Sequence, residues 1–326
     1  MEDQGLPKKI LMVEDDQAFA KTIETALAKY NVAVVLAPQL TTALYHYNNQ
    51  RFDVALIEVE FAELPGLAII QKWRNHEVVD KRFTGFIAMT SLKRTTPDES
   101  LIKELGDVEV VAKPFTATSI LSILMRAVAG HKRAIEAHEQ TANLLDFYHK
   151  TANVEKTIQL LEKKRGVLGE RANEILVGLY ETANRLDEAL AIATKQSDAN
   201  QNDIAALNRK GRILMKLGRF AEAAPIMERA DQIAPMNIER VTALADMYIN
   251  LNQPEKTVKK FNELVRLNPE TPDLKFDLMD KLYSANMGEQ GKMFARENAG
   301  PHAGKIQFQI AVDPRTKDSG GCDIRG

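Results

Sequence analysis

The sequence predicts two folds in series, an α/β domain with a doubly wound, flavodoxin-like parallel sheet and then an all-α repeat superhelix. Three observations carry this expectation. Up to about residue 130, short apolar runs alternate with segments of helical period, and that alternation builds parallel sheets covered by helices. Beyond residue 130 helix formers dominate and strand-like runs are lacking until the extreme C-terminus. Between Ile204 and Thr271 the chain repeats itself without gaps at a 34-residue period, the mark of a solenoid.

In order, Lys9–Val13 (KILMV) is a first strand closing on Glu14-Asp15-Asp16. Phe19, Ile23, Leu27 and Tyr30 share one face of a helix over 19–30. A strand over 32–36 and a helix over 41–50 follow. In RFDVALIEVEFAELPG, the run Val54–Ile57 ends at Glu58 and a Pro65-Gly66 turn comes after it, which reads as a buried central strand. A helix over 67–73, a strand over 84–89 ending at Thr90-Ser91, and a helix over 98–105 closed by Gly106 come next. The fifth strand, 108–112, ends at Lys113-Pro114-Phe115, and a helix over 118–129 completes the domain. The polar helical stretch after Gly130 continues or closely follows it, which makes a stiff junction.

Composition bounds the function. A hydrophobic content of 44%, a charged content of 27% and a net charge of −2 are ordinary for a globular protein and give no general pull toward nucleic acid or an anionic membrane. No apolar run approaches the ~20 residues of a membrane span, and MEDQGLPKK lacks a signal-peptide core. Cys322 is the only cysteine, so an intrachain disulfide and a cysteine-rich zinc site are excluded. The expected compartment is the cytoplasm. A G-x-x-x-x-G-K-[ST] loop, H-E-x-x-H, a G-x-S-x-G elbow and a basic helix-turn-helix are all missing, so an enzyme or a DNA-binding regulator is not expected.

Parallel sheets bind ligands at the carboxyl ends of their strands. Here those ends are Glu14-Asp15, Glu58, Thr90 and Lys113-Pro114. Each has a plain reading alone, a solvated acid or a helix cap. Together, carboxylates suit a hard divalent cation such as Mg²⁺, and a lysine beside a hydroxyl suits phosphoryl oxygens. With these residues in this order, 8–130 resembles a response-regulator receiver domain. The resemblance implies metal ligation by Glu14, Asp15 and Glu58, a switch and phosphate contact at Thr90 and Lys113, and phosphate acceptance at position 58. Gly66 matches the glycine of the family's loop. It also implies a sensor histidine kinase or phosphotransfer protein as a partner, and admits a homodimer.

Two departures stand out. The family has Asp where this sequence has Glu58. The extra methylene moves the carboxylate outward by about 1.5 Å, and a misplacement of ~1 Å can cost about a hundredfold in reactivity. Glu58 is therefore expected to be a phosphomimic or non-phosphorylatable acid. The family's aromatic three residues before the lysine is Val110 here, which puts an aromatic-gated output in doubt.

In the 34-residue repeat, Leu207 matches Val241, Gly211 Ala245, Leu214 Tyr248, Ala223 Thr257, Met227 Phe261, and Pro235 Pro269. The pattern resembles the tetratricopeptide repeat. Units are expected near 138–169, 170–203, 204–237 and 238–271, with a partial capping unit at 272–295. This gives domains of 1–130 and 131–300, then a tail of 301–326 with one short strand (Ile306, Phe308, Ile310, Val312). Such superhelices bind proteins in a groove, with Asn173, Asn208, Arg212, Thr242 and Asp246 as candidate groove residues. The resulting reading is a signalling adaptor in phosphorelay signal transduction, with a non-switching structural pseudo-receiver as the alternative.

Overall fold

The computed structural model describes residues 5–91, 96–168 and 171–298. Its first part alternates β1 (Lys9–Val13), α1 (Gln17–Ala28), β2 (Ala33–Ala37), α2 (Leu40–Asn49), β3 (Val54–Glu58), α3 (Gly66–Arg74), α4 (Val79–Arg82), β4 (Gly85–Thr90), α5 (Thr96–Leu105) and β5 (Val108–Ala112). The strands form one parallel sheet in the order β2-β1-β3-β4-β5. Every residue of β3 and β4 is buried, whereas β2 and β5, at the edges, are partly open. Alternate residues feed opposite layers: Ile10, Met12, Val54, Leu56, Ile87 and Met89 face α1 and the long helix after β5. Leu11, Val13, Ala55, Ile57, Phe86 and Ala88 face α2, α3 and α5.

Register makes this a site-bearing sheet. Val13 pairs with Ile57, Glu58 with Met89, and Thr90 with Ala112, so the strand ends are level at one rim. The chain returns past that rim closely. A Cβ on Gly66 would lie 2.1 Å from the Glu58 carbonyl oxygen, so only glycine lets α3 begin there.

The helix after β5, α6 (Ala117–Thr151), is a single element of 35 residues, started by a Thr116/Ser119 capping box. The helix over 118–129 and the helical stretch expected to continue or closely follow it are one element with Gly130 buried inside, and one mid-helix glycine costs only about 1 kcal/mol. The two halves of the chain are therefore joined by unbroken helix. The four-residue α4 was not foreseen, being too short to show a period.

The second part consists of α7 (Val154–Leu168), α8 (Arg171–Thr182), α9 (Leu186–Ala199), α10 (Ile204–Lys216), α11 (Phe220–Ile233), α12 (Ile238–Asn250), α13 (Pro254–Leu267), α14 (Leu274–Ser284) and α15 (Gly288–Glu297). Its turns mark the period. Asn184, Gly218, Asn252 and Asn286, each 34 residues after the last, all have positive φ between two paired helices. In each turn the next backbone N–H reaches back five residues to a carbonyl: Arg185 to Tyr180, Arg219 to Leu214, Gln253 to Tyr248 and Met287 to Leu282. Asn and Gly are the residue types that adopt this conformation most easily. The segment expected to be a partial cap is thus a complete helix pair, α14 with α15. The anticipated strand at 306–312 lies outside the described residues.

The two parts share a core. Leu67, Ile70, Leu101 and Ile102 of α3 and α5 pack in one cluster with Ile204, Leu207, Ala230, Ala234 and Leu267 of the repeats. Polar contacts frame it. The Gln71 amide donates to the Met236 carbonyl at 3.0 Å and accepts from the Ile238 N–H at 2.8 Å. Lys72 pairs with Glu270 at 2.5 Å and Asn75 donates to Glu239 at 3.1 Å. The Arg240 side chain, 1% exposed, is held by both oxygens of Glu104, with Nη1–Oε1 at 2.6 Å and Nη2–Oε2 at 3.2 Å.

Two glycines test the packing. A Cβ at Gly211 would meet only the side chain of Met227, at its Sδ and Cγ, and a thioether chain can turn aside even where it is buried. Gly211→Ala is expected to change stability by less than about 1 kcal/mol, whereas Gly66→Ala, which meets backbone, should lose about 2–4 kcal/mol in chemical denaturation. Equal losses in the two variants would contradict this packing.

Candidate functional site

The loop after β1 turns Glu14 back under the rim. Its backbone N–H bonds to the Ala37 carbonyl and its Oε1 accepts the Asp16 N–H at 3.0 Å. Asp16 in turn caps α1 through the Ala18 and Phe19 amides. Glu14 is thereby 2% exposed while Asp15 is exposed. Lys113 is set by its own N–H, which donates to the Thr90 carbonyl at 2.8 Å across the last two strands. Its side chain crosses the rim over the Phe19 ring, with the ammonium 5.1 Å from the centroid. The Nζ lies 2.8 Å from Glu14 Oε2 and is also paired with Glu58 Oε2.

The rim therefore holds one ammonium between two buried carboxylates. Burial would lower the Lys113 pKa, but the hydrogen bonds to Glu14 and Glu58 outweigh it and raise it. Burial raises Glu58 to about 7, helped by a carboxyl–carboxyl hydrogen bond to Glu60 and opposed by Lys113. Glu60 moves down against its own burial, because Glu58, the Thr90 hydroxyl and the Ser91 N–H donate to it. Thr90 Oγ1 lies 2.9 Å from Glu60 Oε1.

Glu14, Glu58, Thr90 and Lys113 thus meet at one rim. The hydroxyl of Thr90 goes to Glu60, an acid past the end of β3 that is not among the expected site residues. Its signal was available: a second acid two residues past Glu58, within reach of the Thr90 hydroxyl. Asp53 sits at the opposite end of β3, accepting the Lys8 and Lys9 amides. Val110 packs at the edge of the receiver–repeat cluster.

The donor set is of the right type for Mg²⁺, and in the arrangement described it is an ammonium that lies between two of its carboxylates. Among the described residues no group of three His, Cys, Asp or Glu stands together to hold a metal. The Lys113 ammonium already satisfies Glu14 and Glu58.

Of the groove candidates, Asn208 donates to Glu104 of α5 at 2.6 Å and accepts from Arg240. Arg212 lines a cavity beside that contact. Thr242 bonds its own helix at the Ile238 carbonyl. Asp246 pairs with Lys281 of α14 at 3.0 Å, and Asn173 is half-buried on α8. Arg240 and Glu104 were missed. In the repeat alignment Arg240 takes the place of Ala206, which is fully buried, so an arginine at an inward position was the available sign.

Comparison with known proteins follows the same division. Residues 10–125 match the response regulator receiver domain model, and residues 131–268 match ChAPs, the Chs5p-Arf1p-binding proteins. The first part of the chain is a response regulator receiver domain of two-component signalling, and the second is an all-helical, tetratricopeptide-like region. A probable transcriptional regulator, ycf27 of Guillardia theta, is 27% identical over 156 residues, 47% of this chain and 59% of the relative. The transcriptional regulatory protein CseB of Streptomyces coelicolor is 29% identical over 36% of this chain and 48% of its own. The chain spans about half the length of these curated relatives. Among solved structures, a CheY-like receiver domain protein from Methanospirillum hungatei aligns over 39% of this chain and 98% of its own, at 18% identity and a TM-score of 0.35. The receiver domain of sensor histidine kinase PA1611 from Pseudomonas aeruginosa, described with magnesium in its active-site cleft, covers 37% of this chain and 98% of its own, at 26% identity and a TM-score of 0.34. No described helix is long and apolar enough to cross a membrane.

The site carries a pH signature. A carboxyl raised from 4.5 to about 7 on folding keeps its proton in the folded chain where the unfolded chain has lost it. Stability from Glu58 is then full below pH 4.5 and declines as pH rises toward 7. His76 and His131, both lowered by burial, slope the other way just below their ordinary range, so the difference between variants is the measurement. Relative to Glu58→Gln, the wild type should lose on the order of 1 kcal/mol between pH 5 and 7.5, measured by denaturant midpoints. Parallel profiles would show that Glu58 titrates normally.

Proposed function

We propose that this protein is a cytoplasmic response-regulator-type adaptor of a phosphorelay, rather than an enzyme, in which the state of the receiver governs a protein contact made by the repeats. The observation that carries the reading is the Lys113 ammonium closed onto Glu14 and Glu58. In a switching receiver, differential stabilisation of one conformation by charge at the acceptor position moves the equilibrium. Here that charge belongs to the side chain itself. Glu58 acts as a standing acid whose protonation, shared with Glu60, sets how firmly Lys113 is held. With the ammonium in the cation's place, Mg²⁺ binds weakly and is not required for this state.

The receiver-to-repeat contact gives the signal a route. Glu58 lies on β3, Gly66 rests against its carbonyl, and α3, which begins at Gly66, packs on the repeats through Leu67, Ile70 and Gln71. The division into a receiver of 1–130 and a repeat domain of 131–300 belongs to this reading, as does a histidine kinase or phosphotransfer protein as the upstream partner. The ChAPs likeness of the helical half supports a protein ligand.

The shared core favours a second reading, a pseudo-receiver that serves as a structural module for the repeats. One experiment separates them. Wild type with a small-molecule phosphodonor and Mg²⁺ is expected to gain no covalent phosphate by intact mass. Glu58→Asp is expected to gain one and to change hydrogen exchange in α3. Phosphate on the wild type at position 58 would end the standing-acid reading, and an inert Glu58→Asp would favour the structural module.

A further inference from the structure

The repeat surface is already occupied, and its occupant is a carboxylate. Glu104 of α5 inserts between Asn208 and Arg240, engaging both nitrogens of a guanidinium that is itself buried. Arg240 also donates to the Ala234 carbonyl and lies 3.6 Å from Asp231, so the repeats hold the guanidinium in place from below. Bidentate capture of this kind is the strongest geometry available for recognising a carboxylate.

Beside it lies a cavity of about 270 Å³ between the receiver and the first helices of the repeats, lined in part by Asn75, Asn208, Arg209, Arg212, Glu239 and Arg240. Its charges are unevenly matched, four arginines (Arg74, Arg209, Arg212 and Arg240) against three carboxylates (Glu104, Glu174 and Glu239). Glu104 is spent on Arg240, and Glu239 accepts from Asn75. Among the described residues neither Arg209 nor Arg212 has an ion-pair partner, and the Arg209 Nε is buried without a hydrogen bond. Removing Glu104 would leave Arg209, Arg212 and Arg240 together on neighbouring first helices. An unpaired guanidinium next to a carboxylate-clasping one invites a ligand with several carboxylates in a row.

We propose that Glu104 is a ligand mimic supplied in cis, and that the external ligand of the repeats is an acidic peptide segment whose carboxylates take the place of Glu104 on Arg240 and extend onto Arg209 and Arg212. This rests on the adaptor reading above and names its partner class. The receiver then gates the groove by direct competition: the face made by α3 and α5 must lift for the peptide to enter. The gate is held by the apolar cluster of α3 and α5 with the repeats, by Gln71 on the Met236–Ile238 turn at the cavity wall, and by Lys72 with Glu270 outside the cavity.

The test uses the full-length chain and fluorescent hexaglutamate, with hexaglutamine and inorganic phosphate as controls. Glu104→Gln should bind hexaglutamate at least about tenfold more tightly than wild type, with faster hydrogen exchange at the start of α12. Lys72→Ala, which loosens the margin and leaves every pocket residue in place, should shift affinity the same way and covers the case that Glu104→Gln misfolds. Adding Arg212→Ala to Glu104→Gln should reverse most of the gain. Equal hexaglutamate affinity in all variants, equal binding of hexaglutamine, or binding of phosphate alone would overturn the proposal. A Glu58 variant that leaves hydrogen exchange of α3 unchanged would instead fault the switching reading and leave the Glu104 result standing.

Discussion

The receiver depends on one ammonium. Lys113 sits between Glu14 and Glu58 where three strand ends meet, and a rim of buried carboxylates is not stable without a cation there. Desolvating two carboxylates costs several kcal/mol each, and removing a partner from such a group leaves a charge without compensation. The rest of the rim is arranged to keep this ammonium in place. Phe19 lies beneath it, the Thr90 carbonyl fixes its backbone, and the turn at Asp16 folds Glu14 inward. Glu58 and Glu60 relieve the remaining excess of negative charge by sharing a proton, which is why one rises and the other falls.

The repeats solve a comparable problem with the opposite sign. Arg240 is a buried cation in a helical array, and the acid that neutralises it comes from another fold. Across the same boundary, apolar residues of α3 and α5 and of α10, α11 and α13 form a single cluster. The receiver is thus part of the repeat domain's hydrophobic interior as well as its neighbour. A contact built from one buried ion pair and a shared apolar patch is strong in orientation. It is also sensitive to any change that moves α3, because Gln71 bonds both sides of the Met236–Ile238 turn.

Much of this was legible in the sequence, for identifiable reasons. Val54–Glu58 reads as a central strand because no polar residue interrupts it, and the strand-end residues Glu14, Glu58, Thr90 and Lys113 follow from where strands stop. The repeat period was visible in Leu214/Tyr248 and Met227/Phe261, which recur because each hairpin packs on the next. What was not legible depends on contacts between distant residues. Nothing local in Glu104 distinguishes it from a solvated acid on α5. Its partner Arg240 lies 136 residues away, and only the alignment with buried Ala206 made that arginine conspicuous. Glu60 escaped because strand-end logic stops at Glu58, while the loop beyond it turns back over Thr90. The stiff junction at Gly130 was legible, but whether the helix continued through it or restarted after it was not. A glycine can end a helix or sit inside one, and here it is buried within α6.

That continuous helix has a mechanical consequence. Its first half lies on the sheet beside β4 and β5, and its second half packs on α7. On the far side the molecule is closed by α3 and α5 resting on α10 and α12. Helix on one side and clasp on the other make a frame hinged along a single rod. The stretch of α6 past Gly130 is about 30 Å long, so a bend of only ten degrees near that glycine would carry its far end roughly 5 Å. A side-chain rearrangement too small to notice at the sheet would then appear as a displacement the size of a residue at the repeats.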